Sequence, residues 1–209
     1  MKSYLSVKRN IVDETVIEKS RFICTLKKVD GEDEAKTFVS EVKQKYPDAT
    51  HNCYAYIADE GGFYVKFSDD GEPQGTAGLP MLETLKAKNL KKVAVVVTRY
   101  FGGIKLGTGG LARAYSGCVN KAVELAGISE SVLSSVLKTQ VSYSLYPKIL
   151  KLLESQKSIK LSDEYLDNGV LVTFAVPVEE SDKIIEKITD YSSGKSTVFE
   201  LKTECLEYL

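Results

Sequence analysis

The chain has 209 residues, enough for one large domain or two small ones, and 43% of them are apolar, an ordinary share for a protein with a packed core. Its net charge of −1 names no class of partner, and the lack of an 18-residue apolar run excludes a membrane-spanning helix. Cysteines stand singly at Cys24, Cys53, Cys118 and Cys205 beside one histidine, so no metal site is expected, and with no apolar signal segment at the N-terminus they point to reduced thiols and a cytoplasmic home.

Ile11 to Lys27 reads as strand. Asp30-Gly-Glu-Asp opens a helix with Ala35, Phe38, Val39, Val42 and Tyr46 on one face, and Pro47 ends it. His51 to Ala58 and Phe63 to Phe67 form a hairpin, Phe63, Val65 and Phe67 alternating toward a half-buried side. Ser68 to Leu79 is a polar, glycine-rich loop, and Pro80 begins a short helix continued by Met81, Leu82 and Leu85. Val93 to Val97 suits a strand covered on both faces. After a loop holding Gly102, Gly103, Gly107, Gly109 and Gly110, a helix starts near Leu111, with Leu111, Ala114, Tyr115, Cys118, Ala122 and Leu125 on one side and Gly127 as its C-cap.

Ser129 to Ser135 reads as a linker, placing a boundary between domains 1–132 and 133–209. Beyond it come a strand from about Val136 to Leu145, a helix opened by Pro147, two strands flanking Asp167-Asn-Gly169, a helix from Glu179 to Tyr191 and a last strand from Thr197 to Cys205. This β-α-β-β-α-β order is that of a ferredoxin-like domain, so the fold class is α+β.

Charge separates the two parts. Residues 1–135 carry 19 basic and 17 acidic groups, whereas 136–209 carry 9 and 12. Lys86, Lys88, Lys91, Lys92, Arg99, Lys105, Arg113 and Lys121 follow one another between Thr84 and Val123 without an acidic residue. They surround a strand–glycine–helix junction, which can hold an anion through free helix N–H groups and the helix dipole. The loop is no Walker A motif, because no lysine precedes Thr108. A dinucleotide site lacks its acidic partner about twenty residues on. Two readings remain: a tight packing turn, or contact with nucleic-acid phosphates by the glycines with Arg99, Lys105, Arg113, Lys91 and Lys92.

The loop from Ser68 to Thr76 carries Asp69, Asp70 and Glu72. These carboxylates suit a hard cation, a solvated turn, or contact with the basic loop. Since both loops lead into helices, they are expected to meet at one end of a sheet. His51 and Cys53 lie two apart on a strand, which suits a thiol nucleophile with a histidine base, but no third group orients them and core packing of Cys53 fits better. No catalytic residue and no cofactor is expected.

Four stretches carry a family resemblance: Glu18-Lys-Ser-Arg-Phe, Ala49-Thr-His-Asn-Cys-Tyr-Ala-Tyr, Ser68-Asp-Asp-Gly-Glu-Pro-Gln-Gly-Thr-Ala-Gly-Leu-Pro, and Val95 to Tyr115 with its Arg99-Tyr-Phe-Gly-Gly core. In them the chain resembles the IMPACT/YigZ family, with a UPF0029-type N-terminal domain and a DUF1949-type C-terminal one. The resemblance implies a first domain like domain 2 of ribosomal protein S5, then the ferredoxin-like domain. The same pair of folds ends elongation factor G, which works on the ribosome. It also implies a link to translation, because eukaryotic relatives dampen the amino-acid-starvation response. Those relatives bind a kinase activator through an extra N-terminal domain, which is not expected here. The family supplies no catalytic residues.

The function expected is a cytosolic, non-enzymatic factor that binds RNA or the ribosome and modulates translation, with a protein partner possible through the C-terminal domain. The alternatives are an enzyme of unknown reaction using His51 and the Ser68–Thr76 and Arg99–Gly110 loops, and a protein-interaction regulator.

Overall fold

A computed structural model of the chain describes residues 3–208, which divide into two units between Ser129 and Glu130. The first unit contains β1 (Ser3–Val7), β2 (Ile11–Ile17), β3 (Ser20–Lys28), α1 (Glu32–Lys45), β4 (His51–Ile57), β5 (Val65–Ser68), α2 (Gly78–Ala87), β6 (Val93–Tyr100) and α3 (Gly107–Ala126). One sheet runs in the order β2-β3-β6-β4-β5, every neighbouring pair antiparallel.

β6 lies at its centre, and its residues from Val93 to Arg99 are all buried. Alternate side chains go to opposite faces. Val93, Val95 and Val97 pack with Leu82 and Leu85 of α2 and Tyr115 and Val119 of α3. Ala94 and Val96 pack with Phe38 and Val42 of α1. A strand roofed on both sides has no need of polar alternation, which explains the unbroken apolar run. The consequence falls on Arg99. It continues the series 93, 95, 97 and is only 5% exposed, so a guanidinium takes the last inward position on the α2–α3 face.

The second unit takes over within β7 (Ile128–Val141) and continues with α4 (Tyr146–Glu154), β8 (Ile159–Leu166), β9 (Gly169–Pro177), α5 (Val178–Tyr191) and β10 (Val198–Tyr208). β9 lies between β7 and β8, and β10 takes the other side of β7, all antiparallel. One face of this sheet packs Leu137, Val172, Phe174 and Val176 against Ile149 and Leu153 of α4 and Ile184 and Ile188 of α5. That is the ferredoxin-like arrangement the element order implies. Gly169 is required in its hairpin, because a Cβ there would lie 2.2 Å from the Val141 carbonyl oxygen.

Several local expectations are corrected. Ile11 to Lys27 is a hairpin rather than one strand, turning at Glu18 and Lys19 with φ of 46° and 63°. Tight two-residue turns want positive φ, usually marked by Asn or Gly, and here a Glu-Lys pair hides the signal. α3 starts at Gly107 rather than near Leu111, so three glycines lie inside its first turn, where low helix propensity disguised them as loop. The serine-rich segment read as a linker is strand: Ser129, Ser131, Ser134 and Ser135 are buried within β7, which pairs with β10 from Glu130 onward. That strand ends at Val141, before Leu145. Phe63 is 87% exposed, because it precedes β5 and has no face to bury, and Phe67 and Leu125 are also exposed.

Candidate functional site

The Ser68–Thr76 loop folds around its own carboxylates. Asp69 accepts backbone N–H bonds from Gly75, Ala77 and Gly78 at 2.8, 3.0 and 2.8 Å, which anchors the start of α2. Asp70 accepts from the Asn52 N–H at 2.7 Å and pairs with Lys43. Burial works against the Asp70 carboxylate, but Lys43, the Asn52 N–H and His51 outweigh it and hold its pKa below the usual range. Ser68 Oγ accepts the Asp70 N–H, and the Thr76 hydroxyl donates to the Pro73 carbonyl. Asp70 and Gly71 both have positive φ, 45° and 89°, and this reversal turns Glu72 toward the sheet.

Glu72 meets Arg99 there. Arg99 Nη1 donates to Glu72 Oε1 at 2.6 Å, and their side chains are 6% and 3% exposed. The Tyr115 hydroxyl donates to the same oxygen at 2.8 Å. Burial, with Cys53 and Glu72 adding to it, drives the Tyr115 pKa far up, so the phenol keeps its proton and remains a donor. His51 Nδ1 lies 2.9 Å from the Asp70 carbonyl oxygen, and Nε2 lies 3.8 Å from Glu72 Oε2. Arg99 also lies over the rings of Phe22 and Phe101, 5.4 and 5.5 Å from their centroids. The two loops therefore meet as expected, through one buried charge pair.

Ser20 links this cluster to the glycine loop. Its Oγ accepts from Arg99 Nη2 at 3.3 Å and from the Gly102 N–H at 3.2 Å. Gly102 lies so close to the hairpin turn that a Cβ would come within 2.0 Å of the Lys19 backbone. Gly103 has φ of 87°, a left-handed conformation that favours glycine. The loop then enters α3, whose first turn holds Gly107, Gly109 and Gly110, no acidic residue and no side-chain cap. Exposed Lys105 and Arg113 flank that turn.

The structure thus divides the expected residues. Arg99, Glu72 and His51 come together with Gly102 through Ser20, whereas Lys91 and Lys92 precede β6 at its other end. The run of basic residues without an acidic neighbour in sequence is partly neutralised in space: Lys92 pairs with Asp30 at 3.0 Å and Lys121 with Asp13 at 2.8 Å. Lys88, Lys91, Lys105 and Arg113 have no ion-pair partner among the described residues. The acidic loop spends Asp69 on backbone donors, Asp70 on Lys43 and Glu72 on Arg99, so each carboxylate has a structural task. Burial, then nearby carboxylates, push the Cys53 thiol up to about 12, a bond with Tyr115 offsetting a part, and Cys53 Sγ lies 2.9 Å from the Asp69 carbonyl oxygen. A thiol so held is no nucleophile near neutral pH.

Tyr115 and Ser20 belong to the cluster and were missed as site residues. Tyr115 carried a signal: a tyrosine on the inner side of a helix needs a partner for its hydroxyl. Ser20 stood within the Glu18-Lys-Ser-Arg-Phe stretch, but its role comes from strand pairing and no local chemistry announced it.

Comparison with known proteins follows the same segments. A family model described as the Impact N-terminal domain matches residues 18–123, and one described as a domain of unknown function, DUF1949, matches residues 139–195. The IMPACT family member YvyE of Bacillus subtilis (strain 168) is 42% identical over 205 residues, covering 98% of this chain and 94% of that protein. The IMPACT family member YigZ of Escherichia coli (strain K12) is 38% identical over 186 residues, covering 88% and 90%. Protein IMPACT of Homo sapiens is 43% identical over 67 residues, 31% of this chain and 20% of that protein. A solved structure titled only as a crystal structure of an hypothetical protein aligns with a TM-score of 0.62 at 35% identity, over 97% of this chain and 98% of the other. The first match spans the Glu72–Arg99 cluster and the whole glycine loop, and with relatives similar along nearly their full length, the chain belongs to the IMPACT family.

Proposed function

We propose that this chain is a non-enzymatic cytoplasmic factor that binds RNA or the ribosome and modulates translation. One observation carries the reading: the exposed first turn of α3 offers uncapped N–H groups, without an acidic residue, between Lys105 and Arg113. A backbone phosphate answers both the donors and the cations. Arg99 supports that surface from inside, through Ser20 and Gly102, rather than touching phosphate. The link to translation is what the family resemblance implies.

The enzyme reading draws on His51, whose Nε2 faces Glu72 at 3.8 Å. Against it, the carboxylates nearby are engaged and Cys53 is held protonated. The deciding experiment is binding of the full chain to ribosomal RNA and to ribosomes across a salt series. Binding that weakens with salt, and weakens further in Lys105→Glu/Arg113→Glu, supports the proposal. No binding at low salt rejects it in favour of a protein-interaction regulator.

A further inference from the structure

On the face of the first sheet opposite α2 and α3, α1 covers Ala94, Val96 and Tyr56. Between α1 and β5 it leaves a cleft of about 500 Å³. The floor is made by Tyr54 and Tyr56, two positions apart on β4 and so on one side of the strand. Their rings are stacked, with centroids 6.1 Å apart and planes 13° from parallel. Tyr56 is buried and Tyr54 is half-buried, so Tyr54 is the ring left open to a ligand.

Lysines reach this floor from both sides. Lys36 and Lys43 come from α1 and Lys66 from β5, and among the described residues the one carboxylate that touches the floor is Glu32, which accepts from the Tyr56 hydroxyl at 3.4 Å. Lys43 Nζ stands 5.7 Å from the Tyr54 ring centre. At the rim Lys36 pairs with Glu32 and Lys43 with Asp70, while Lys66 has no ion-pair partner among the described residues. An inorganic anion would leave the rings uncovered, and a neutral aromatic molecule would leave Lys66 unanswered. A ligand that is flat, apolar on its face and anionic at one end satisfies both.

We propose that this cleft takes a nucleotide, its base stacked on Tyr54 and its phosphate held by Lys66. The volume falls within the range of small-molecule sites, about 300–1,000 Å³. Stacking on an aromatic ring beside cations is how bases are held without sequence preference. A free nucleotide and one nucleotide of a single strand share this chemistry. The inference does not rest on the glycine-loop reading, which concerns the other face of the same sheet.

The test is NMR of the full chain with labelled tyrosine rings, titrated separately with AMP, with an adenine oligonucleotide of about eight nucleotides, and with inorganic phosphate. AMP or the oligonucleotide should move the Tyr54 ring resonances, and phosphate alone should not. A response to AMP alone assigns the site to free nucleotides; a response to the oligonucleotide assigns it to a strand. Tyr54→Leu should weaken binding roughly tenfold and Tyr54→Phe should retain it. Lys66→Gln, on an exposed edge strand, should weaken binding several-fold and reads the same site if Tyr54→Leu fails to fold. No Tyr54 response to either nucleotide probe, an equal response to phosphate, or unchanged binding in both Tyr54→Leu and Lys66→Gln overturns the proposal. No binding of ribosomal RNA at low salt, with the Tyr54 response to AMP intact, would instead reject the reading of the glycine loop.

Discussion

Glu72 and Arg99 are 27 residues apart in sequence and 2.6 Å apart in space, and almost no solvent reaches either side chain. A charge pair so deep gains little over a well-packed apolar pair, because both ions lose their hydration. Breaking it is another matter. Glu72→Leu strands the guanidinium and should cost about 3–5 kcal/mol in urea unfolding. Glu72→Leu with Arg99→Met should cost less than the two single changes added together. Additive costs would mean the partners do not depend on each other.

The RNA reading predicts a slope. If about four phosphates are contacted, log K should fall against log salt with a slope of about −3 for a single strand. Lys105→Glu/Arg113→Glu should flatten the slope by about 1–2. Lys92→Glu should alter it little, because Lys92 is occupied by Asp30 and Glu60. Filter binding at several salt concentrations checks both, and equal loss in the two variants would favour a diffuse basic surface.

Cys53 gives a chemical prediction. With its pKa at about 12, the thiol is almost wholly protonated at pH 8. Iodoacetamide should leave Cys53 unmodified in the folded protein and alkylate Cys205, the most exposed of the four, first. Peptide mass mapping reads this directly. Rapid alkylation of Cys53 in the native chain would restore thiol chemistry as a candidate.

Asp70 sets an acid dependence. Its pKa in the folded chain lies below the ordinary value, with Lys43, the Asn52 N–H and His51 overcoming the effect of burial. The stability this supplies is fully present above the unfolded pKa, about 3.9, and is lost as pH falls through the folded value. Asp70→Asn should therefore be less stable at pH 6 and show a shallower fall in stability below about pH 4. Urea midpoints from pH 2 to 7 test the sign, and parallel curves would contradict it.

How far the sequence spoke depended on the range of the interaction. Helical periodicity placed α1 and α5, and the apolar run placed β6, because burial on one face or on both is written in local pattern. The β2–β3 turn stayed hidden because positive φ at Glu18 and Lys19 is imposed by the strands around it. At the site, opposite charge foretold that the acidic and basic loops meet. It did not foretell that Arg99 would be consumed by the meeting, because its inward direction follows from strand phase and the cover of α3. Ser20 depended wholly on register: β3 must pair with β6 from Arg21↔Tyr100 onward before its hydroxyl can touch Arg99.

That dependence predicts that the glycine loop is ordered late in folding. Ser20 reaches Arg99 across 79 residues and Gly102 across 82, and Tyr115 reaches Glu72 across 43. Contacts of such separation form only after the chain between them has been closed into loops. The loop should therefore acquire its geometry when the β2–β3 hairpin docks on β6, and lose it when the hairpin detaches. Amide exchange at Gly102 should accordingly track the opening of a hairpin some eighty residues upstream in sequence, and the glycine loop should be as persistent as that edge of the sheet.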